Sequence, residues 1–322
     1  MKCLKRIAVL LAMACMFTGA HAQKFPERPV TLVIPFPPGA STDAFGRLIA
    51  QHMAQDFKQQ IVVVNRDGAA GVIGTNYVAH SAPDGYTLLW GTSSGLAIMP
   101  ALKKKLPYDP QRDFAPISLG AKVSWVLVVH PSVPADNVKA LVAIAKKYPG
   151  KLNFASAGTG GAPHLAGELF KSVAGIDVVH IPYRGTALFA VDLVAGQVDY
   201  GFASPLTTQP FTRTGRLKAL AVTSAKRLTI YPEVPTMGEA GYPNFELTQW
   251  YAMLAPAGTP AGIIATLNAA VRNALTDPNV IKRLASDGGM PAPTTPQGLA
   301  EFIRDDTASY AKIAEKAGIK TE

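Results

Sequence analysis

Short apolar runs alternate with longer amphipathic segments along most of the chain. The runs are rich in β-branched residues, as buried strands are, and they cover residues 30–34, 61–64, 86–90, 126–130, 152–155, 178–181, 198–202 and 217–223. Several segments between them repeat apolar residues at helical spacing, at residues 138–148, 165–173 and 188–195. This alternation predicts an α/β protein with mostly parallel sheets.

The last third of the chain is mainly helical in pattern. Residues 250–260 have the pattern of a strand that is ended by proline and glycine, and residues 263–274 and 299–317 have that of helices. Their apolar residues form one stripe, which is typical of helices that pack on a core.

The loops that follow the predicted strands are small, rich in glycine or hydroxyl groups and poor in charge. They cover residues 35–43, 65–75, 91–95, 156–164, 182–185 and 203–205. Ligands of parallel α/β sheets bind at the carboxyl ends of the strands, where these loops lie. Three loops precede residue 120 and three follow it, so we expect two domains whose loops face each other across a cleft.

The first of these loops, PFPPGASTDAFG at residues 35–46, joins a strand to a helix. Such a junction directs backbone N–H groups and the positive end of a helix dipole to one place, which predicts an anion site. Ser41, Thr42 and Asp43 are also good helix caps, so we expect at least one of them to cap this helix. The Asp43 carboxylate would repel an anion, and we expect it to point away from the cleft.

The first residues have the pattern of a secretory signal peptide. Lys2, Lys5 and Arg6 precede an apolar segment at residues 7–17, and Ala20-His-Ala22 predicts cleavage after Ala22. A lipoprotein with Cys15 as the lipidated residue is an alternative, although Ala12 stands where such signals carry leucine. Both cysteines belong to this leader, so the mature chain has no disulfide and no thiol chemistry.

Composition excludes several classes of function. The formal net charge is +9, and the leader holds three positive charges, but the rest are scattered without the basic, aromatic-rich stripe of nucleic-acid-binding proteins. Paired cysteines, a His-Glu-x-x-His motif, a dinucleotide fingerprint and a P-loop are all missing from the sequence. We therefore predict no nucleic-acid partner, no metal and no cofactor.

One motif suggests an enzyme. Residues 91–95, GTSSG, follow a predicted strand as a nucleophile elbow does, with Ser93 as the nucleophile. The histidines that follow, His130, His164 and His180, all lie in the first two thirds of the chain, whereas hydrolases of that fold place theirs after the last strand. A secreted serine hydrolase using Ser93 stays an alternative, and the main prediction is that the protein is not an enzyme.

Eight motifs in order make the chain resemble the Bug-type solute receptors of tripartite tricarboxylate transporters. They are RPVTLVIPFPPGASTD, VVNRDGAAGVIGT, PDGYTLLWGT, ASAGTGGAPHLAGELF, IPYRG, LKALAVTSAKR, EVPTMGEAGYP and APAGTP. The resemblance implies a two-lobed periplasmic binding protein, type II-like. Each lobe would have a mixed, mostly parallel sheet flanked by helices, with residues 23–123 and 247–322 in one lobe, residues 124–246 in the other, and a hinge between them.

The resemblance also implies a function. Such a receptor binds a small carboxylate in the cleft between its lobes: a dicarboxylate, a tricarboxylate or an aromatic acid. It works in the periplasm as a monomer without a cofactor, and it delivers the ligand to the membrane permease subunits of a tripartite tricarboxylate transporter. A ligand sensor for a two-component system is a further alternative.

The positions that match the family's binding loops are the expected ligand contacts. In relatives the first loop holds a ligand carboxylate through backbone groups and ordered waters. For Arg184 two roles stay open: binding of a second carboxylate, or an ordinary surface ion pair. The expected ligand-binding residues are Phe36, Pro38, Gly39, Ala40, Ser41, Thr42, Gly71, Thr92, Ser93, Ser156, Ala157, Gly158, Thr159, His164, Arg184 and Ser204.

Two departures from the family pattern concern the backbone. Ala40 and Ala70 stand where relatives commonly carry glycine, so either alanine is strained if its position requires a positive φ. Trp250 and Tyr251, near the second crossing between lobes, are weaker candidates for the pocket, since core packing is the more common role of such residues.

Overall fold

The computed structural model describes residues 25–103, 105–243, 245–286, 288–316 and 318–319. The predicted leader and its cleavage site lie outside these residues. The strands are β1 (Val30–Ile34), β2 (Ile61–Asn65), β3 (Thr87–Thr92), β4 (Phe114–Ser124), β5 (Val126–Val129), β6 (Asn153–Ser156), β7 (Val179–Pro182), β8 (Tyr200–Ala203), β9 (Lys218–Val222), β10 (Thr248–Pro256) and β11 (Gly289–Pro291).

Ten α-helices and two irregular turns complete the described part of the chain. The helices are α1 (Ser41–Phe57), α2 (Val72–Ala79), α3 (Met99–Leu102), α4 (Val138–Lys147), α5 (Ala162–Ala174), α6 (Thr186–Val194), α7 (Pro205–Arg213), α8 (Ala261–Thr276), α9 (Pro278–Ser286) and α10 (Pro296–Lys316). A 3₁₀ turn at Ala69–Gly71 precedes α2, and a π-helical segment at Ser94–Ile98 precedes α3. Within the described residues, none of the helices has the length and apolarity needed to cross a membrane.

The strands form two sheets, one in each lobe. Lobe 1 contains the sheet with strand order β11-β4-β10-β3-β1-β2, and lobe 2 contains the sheet with order β7-β6-β8-β5-β9. The predicted two-lobed α/β fold is confirmed. Parallel pairing does not dominate, however, because β10 runs antiparallel to β3 and β4, and β5 runs antiparallel to β8 and β9. These are strands that carry the chain between lobes, and they therefore run against their neighbours.

The hydrogen bonds of one residue, Thr223, join the two crossings between the lobes. The first crossing runs from β4 through Trp125 into β5, and the second returns from β9 to β10. The Thr223 backbone N–H donates to the Trp125 carbonyl (2.9 Å), and its Oγ1 accepts from the Trp125 N–H (2.9 Å) and donates to the Leu247 carbonyl (2.5 Å). These bonds tie the two crossings together where the sheets adjoin, close to the predicted lobe boundaries, which stay a prediction.

The core of lobe 1 fixes where α1 begins. Leu32 and Ile34 of β1 pack with Phe45 and Ile49 of α1, and all four side chains are fully buried. Burial of large apolar side chains contributes about 1.5–3 kcal/mol each. The packing therefore holds the N-terminus of α1 beside the carboxyl end of β1, at the edge of the sheet that faces lobe 2.

Candidate functional site

A cavity of about 250 Å³ lies between the lobes at the first loop, and we call it the helix-end cavity. Residues of both lobes and of both crossings line it, and its wall is largely apolar. Its lining consists of Phe36, Pro37, Pro38, Ala40, Ser41, Thr42, Ser94, Trp125, Ala157, Pro163, Gly185, Thr186, Ala187, Leu188, Gln249 and Tyr251. None of these lining residues is charged.

Helix α1 presents uncapped backbone N–H groups to this cavity. Its N-cap is Ala40, with φ −113° and no side-chain hydrogen bond, so the expected capping by Ser41, Thr42 or Asp43 is wrong. The first backbone N–H of α1 with a carbonyl partner is that of Asp43, which donates to the Ala40 carbonyl (3.0 Å). The N–H groups of Ser41 and Thr42 therefore remain available to a ligand.

The Ser41 side chain bonds to a strand of lobe 1 and does not cap its own helix. Its Oγ lies 2.9 Å from the hydroxyl of Tyr251 on β10. Burial raises the pKa of Tyr251 to about 12, so the phenol is neutral at physiological pH. The pair forms a fixed polar wall beside the N-terminus of α1.

Helix α6 of lobe 2 begins at the same place. Its N-cap is Gly185, with φ +152° and no side-chain cap. A Cβ added to Gly185 would lie 3.4 Å from the ring of Pro37, and one added to Gly39 would lie 3.9 Å from Ala187. Two helix N-termini from opposite lobes therefore converge on one cavity, where their partial positive charges add.

The acidic residue in the first turn of α1, Asp43, is directed elsewhere, as predicted. The Asp43 carboxylate accepts from Arg47 Nε (2.9 Å) and from Asn65 Nδ2 (2.9 Å), and it is buried. These partners neutralise its charge away from the cavity lining.

The crossings close the other end of the cavity. Gln249 on β10 and Trp125 between β4 and β5 are both nearly fully buried. Gln249 Oε1 accepts from Ser93 Oγ at 2.9 Å, so the Ser93 hydroxyl is engaged by an amide rather than by a histidine. Ser93 is itself fully buried, and the hydrolase alternative is therefore wrong.

A second cavity of about 520 Å³, the glycine-loop cavity, adjoins the first and shares Phe36 and Ala157 with it. Its lining is polar and includes the charged residues Asp67, Lys103 and Arg184. The predicted contact residues Gly71, Gly158 and Thr159 lie here with Arg184, so Arg184 does not line the helix-end cavity. Lys103, which follows α3, lines the same cavity as a second cation.

The loop that lines the glycine-loop cavity has a strained backbone. Residues 68–71 all have positive φ, and these include Ala69 (+48°) and Ala70 (+54°). An alanine in this left-handed region costs about 1–2 kcal/mol. Ala40 adopts an ordinary extended conformation, so of the two departures from the family pattern only Ala70 is strained.

The remaining predicted residues lie behind the cavity walls. Gly39 touches the opposite lobe without lining the cavity, Thr92 and Ser204 are buried, and Ser204 Oγ pairs with Thr207 Oγ1 at 2.9 Å. Ser156 Oγ lies 2.6 Å from His180 Nε2, and His164 Nδ1 accepts from the Gly160 N–H at 3.1 Å. These residues line neither the helix-end cavity nor the glycine-loop cavity, although His164 lines a third, smaller cavity of about 170 Å³ together with Met99 and Thr159.

Two neighbouring histidines of lobe 2, His164 and His180, are neutral at physiological pH. Their rings lie 4.2 Å apart, and burial lowers the pKa of His164 and lowers that of His180 to about 4. Among the described residues there is also no group of three histidine, cysteine or acidic side chains that could hold a metal ion.

Sequence reasoning missed several lining residues. Trp125 and Gln249 carry no recognisable loop signature, and their position depends on how the lobes meet. Thr186, Ala187 and Leu188 directly follow the predicted loop at residues 182–185 but were not among the expected contacts. Period-2 alternation along β10 was the available signal, because it places Gln249 and Tyr251 on one face and Trp250 on the other. Tyr251 lines the cavity, whereas Trp250 Nε1 donates to Asp306 at 2.6 Å outside it.

Two α/β lobes with a ligand-sized cavity between them, closed by two crossings, define a solute-binding receptor rather than an enzyme. Residues 45–319 match the model of the tripartite tricarboxylate transporter family receptor, and the chain belongs to that family.

Individual relatives agree with this assignment. The chain is 38% identical to Protein BugT of Bordetella pertussis, over 98% of this chain and 97% of the relative. It is similar to a Rhodopseudomonas palustris protein solved with adipate (35% identity, TM-score 0.89, covering 92% of this chain and 99% of that one). It is also similar to MatC from the same organism with bound malate (34% identity, TM-score 0.85, covering 90% and 99%).

Proposed function

We propose that this protein is a periplasmic receptor that binds a small carboxylate in the helix-end cavity and delivers it to the membrane permease of a tripartite tricarboxylate transporter. One observation carries the proposal: the uncapped N-termini of α1 and α6, from opposite lobes, converge on one uncharged cavity. The adipate- and malate-bound structures of relatives support the same ligand class.

A carboxylate fits this arrangement without a basic side chain. The N–H groups of Ser41 and Thr42 offer charge-assisted hydrogen bonds, which are about twice as strong as neutral ones. Each helix N-terminus adds about 0.3–1 kcal/mol of favourable interaction with an anion at exposed sites, and up to about 2 kcal/mol where the geometry is partly buried. The Tyr251 phenol is neutral, and the Asp43 carboxylate is bonded to Arg47 and Asn65. Neither group therefore places a negative charge on the cavity lining.

The apolar body of the ligand would lie against Phe36, the prolines and Leu188. With a volume of about 250 Å³, the cavity lies near the lower end of the range of about 300–1,000 Å³ that is typical of ligand pockets, which suits a small acid.

The ligand would also couple the two lobes. It touches α1 of lobe 1 and α6 of lobe 2 together only when the cleft is shut, so binding favours the closed form by these differential contacts. A closed, loaded receptor then presents a surface to the permease that the open form lacks.

A thermal-shift screen of the purified mature protein tests the proposal. Mono-, di- and tricarboxylates and aromatic acids are compared with uncharged amides of the same acids. An acid present at 100 times its Kd stabilises the native state by about 2.7 kcal/mol, which raises Tm, and its amide does not. Stabilisation by amides and acids alike, or by no acid, would contradict the proposal.

A further inference from the structure

A hydrogen bond joins the two lobes across the cleft, away from the crossings. Ser94 follows β3 of lobe 1, and its Oγ accepts from the backbone N–H of Ala162, the first residue of α5 in lobe 2, at 3.1 Å. The two residues are 68 positions apart in the sequence, and both are buried. The bond exists only while the lobes are in contact, so it is lost when the cleft opens.

Helix α5 has no cap of its own. Its N-cap is Gly161, which has no side chain that could accept a hydrogen bond, and Pro163 at the second helical position has no N–H. The Ala162 N–H is one of the donors that a helix leaves without a partner in its first turn. In most helices the N-cap side chain satisfies such a donor, whereas here the opposite lobe supplies the acceptor.

Glycines allow the lobes to approach closely at this place. A Cβ added to Gly161 would lie 3.8 Å from Ser94 Oγ and 3.8 Å from the Ala70 methyl of lobe 1. One added to Gly158 would lie 3.7 Å from the Ala70 backbone nitrogen. Ser94 is 2% exposed and Ala162 is fully buried, so the hydrogen bond lies inside a close contact between the lobes.

The lobe 1 side of this contact is firmly packed. Ser94 begins the π-helical segment Ser94–Ile98, whose last three residues are fully buried. The Tyr108 hydroxyl donates to the Gly95 carbonyl at 2.7 Å, which fixes the segment to the rest of lobe 1. Segments of this kind are frequent at functional sites. The Ser94 hydroxyl therefore has a fixed position when the lobes meet.

The preceding residue, Ser93, bonds in the other direction. Its hydroxyl donates to Gln249 Oε1 at 2.9 Å, and both residues belong to lobe 1. Two adjacent buried serines therefore differ in one respect, since Ser93 bonds within a lobe and Ser94 bonds between lobes. The pair provides a matched control for the effect of the interlobe bond.

We propose that Ser94 is a latch of the closed cleft: it caps α5 of the opposite lobe and so stabilises closure before any ligand is bound. One neutral hydrogen bond changes the closed-to-open ratio about fivefold. The apparent Kd of a ligand that binds the closed form varies inversely with the closed fraction, so the latch raises the affinity for every ligand alike. Ser94 acts as a positioning residue, and the inference does not depend on which ligand is bound.

The first test measures closure without a ligand. The sequence after residue 22 contains no cysteine, so Gln51→Cys on α1 and Val191→Cys on α6, both exposed positions, place one spin label on each lobe. Pulsed electron paramagnetic resonance then gives the populations of short and long label distances. We expect Ser94→Ala to lower the closed-to-open ratio about fivefold and Ser93→Ala to leave it unchanged.

A second variant removes the donor instead of the acceptor. Ala162→Pro replaces the N–H by a ring carbon at the first position of α5, a position that suits proline. We expect the same fall in the closed-to-open ratio as in Ser94→Ala. The double variant should show no further fall, because both substitutions remove one and the same hydrogen bond.

Affinity measurements separate closure from ligand contact, since Ser94 also lines the helix-end cavity. Adipate, hexanoate and benzoate are titrated into the wild-type protein and into Ser94→Ala. We expect every acid that binds to lose affinity by one common factor of up to about fivefold, because the substitution changes the closed fraction and not the contacts of a particular acid.

Several results would overturn the latch. These are an unliganded wild-type protein without a closed population, an unchanged ratio in Ser94→Ala, or equal opening in Ser93→Ala. Losses that differ between acids while the ratio stays constant would make Ser94 a ligand contact and not a latch. If no acid binds the wild-type protein, the carboxylate-binding function fails, while the label distances without ligand still decide whether the latch exists.

Discussion

The helix-end cavity and the glycine-loop cavity lie side by side between the same two lobes, but they differ in how they supply positive potential. The first has an uncharged lining and relies on the backbone N–H groups of α1 and α6. The second carries Lys103 and Arg184 on its lining, opposed by Asp67. Fixed backbone dipoles cost no side-chain entropy and are little screened inside a cleft, whereas exposed side-chain charges are screened by salt.

The comparison also extends to the backbone. The helix-end loop reaches its conformation with one positive-φ glycine, Gly39, followed by an unstrained Ala40. The glycine loop holds four successive residues at positive φ, and two of them are alanines. The helix-end cavity is thus formed by a loop with an unstrained backbone, whereas the glycine-loop cavity is formed by a strained one.

The largest effect is expected from a charge placed at the N-cap of α1. Ala40→Asp caps the helix, and its carboxylate opposes a bound anion. Two like charges about 4 Å apart repel by about 4 kcal/mol at an effective dielectric constant of 20, which lowers affinity about 1,000-fold. Ala40→Asn is the matched control, because it caps the helix without the charge. Titration calorimetry with the best acid of the screen measures both, and equal affinities would place the anion elsewhere.

A smaller effect concerns the lobe 2 loop at Ser156. Burial lowers the pKa of His180 to about 4, and the positive charge of a protonated His164 and of Lys171 acts in the same direction. A lowered histidine pKa means that the unfolded chain binds the proton more readily, so stability is full above about pH 6.5 and falls as the pH drops toward 4. The loss is about 1–2 kcal/mol after allowance for solvent screening of a half-buried ring.

Thermal unfolding between pH 7.5 and 4.5 measures this dependence. His180→Gln should flatten the profile, because it removes the titrating group next to Ser156. His130→Gln, at a histidine bonded to Ser132 on another loop, is the control and should keep the wild-type slope. An unchanged slope in His180→Gln would assign the pH dependence to other groups.

Much of the fold was predictable, because apolar runs with strong periodicity formed the elements expected of them. Helix α8 covers 261–276 where 263–274 was predicted, and β6 covers 153–156 where 152–155 was predicted. Strand β4 was missed, because Pro116, Ser118 and Gly120 interrupt its apolar run. Its burial depends on pairing with β10 and β11 and on packing against α8 and α10. Sheet pairing of this kind depends on distant residues that local pattern does not reveal.

The part of the site that the first loop forms was predictable from the sequence. Phe36, Pro38, Ala40, Ser41 and Thr42 follow a strand directly, and all line the helix-end cavity. Trp125 and Gln249 reach the cavity from the two crossings, and these two residues are 124 positions apart in the sequence. Their position depends on how the lobes are joined, so this end of the cavity is the part that sequence reasoning could not reach.

Relief of strain in the glycine loop should give an effect of about 1 kcal/mol. Ala70→Gly removes the cost of a Cβ at φ +54°, so we expect the free energy of unfolding to rise by about 1 kcal/mol. Ala44→Gly, within α1, is the opposite control and should lower it by about 1 kcal/mol. Urea unfolding measures both variants, and a destabilised Ala70→Gly would mean that the Ala70 methyl, which faces Gly161 across the cleft, contributes more than its strain costs.

The smallest effect is expected at Arg184, and it decides how much the glycine-loop cavity contributes to binding. The side chain is exposed and lines the second cavity only, so its charge reaches a ligand in the first through solvent. Arg184→Ala should therefore weaken a dicarboxylate about two- to fivefold at low salt and hardly at all at high salt, with a matched monocarboxylate less affected. Arg272→Ala removes the same charge from an exposed position of α8, which lines neither cavity, and should change nothing. A loss of tenfold or more that persists at high salt would show direct contact with the ligand, and the glycine-loop cavity would then belong to the binding site.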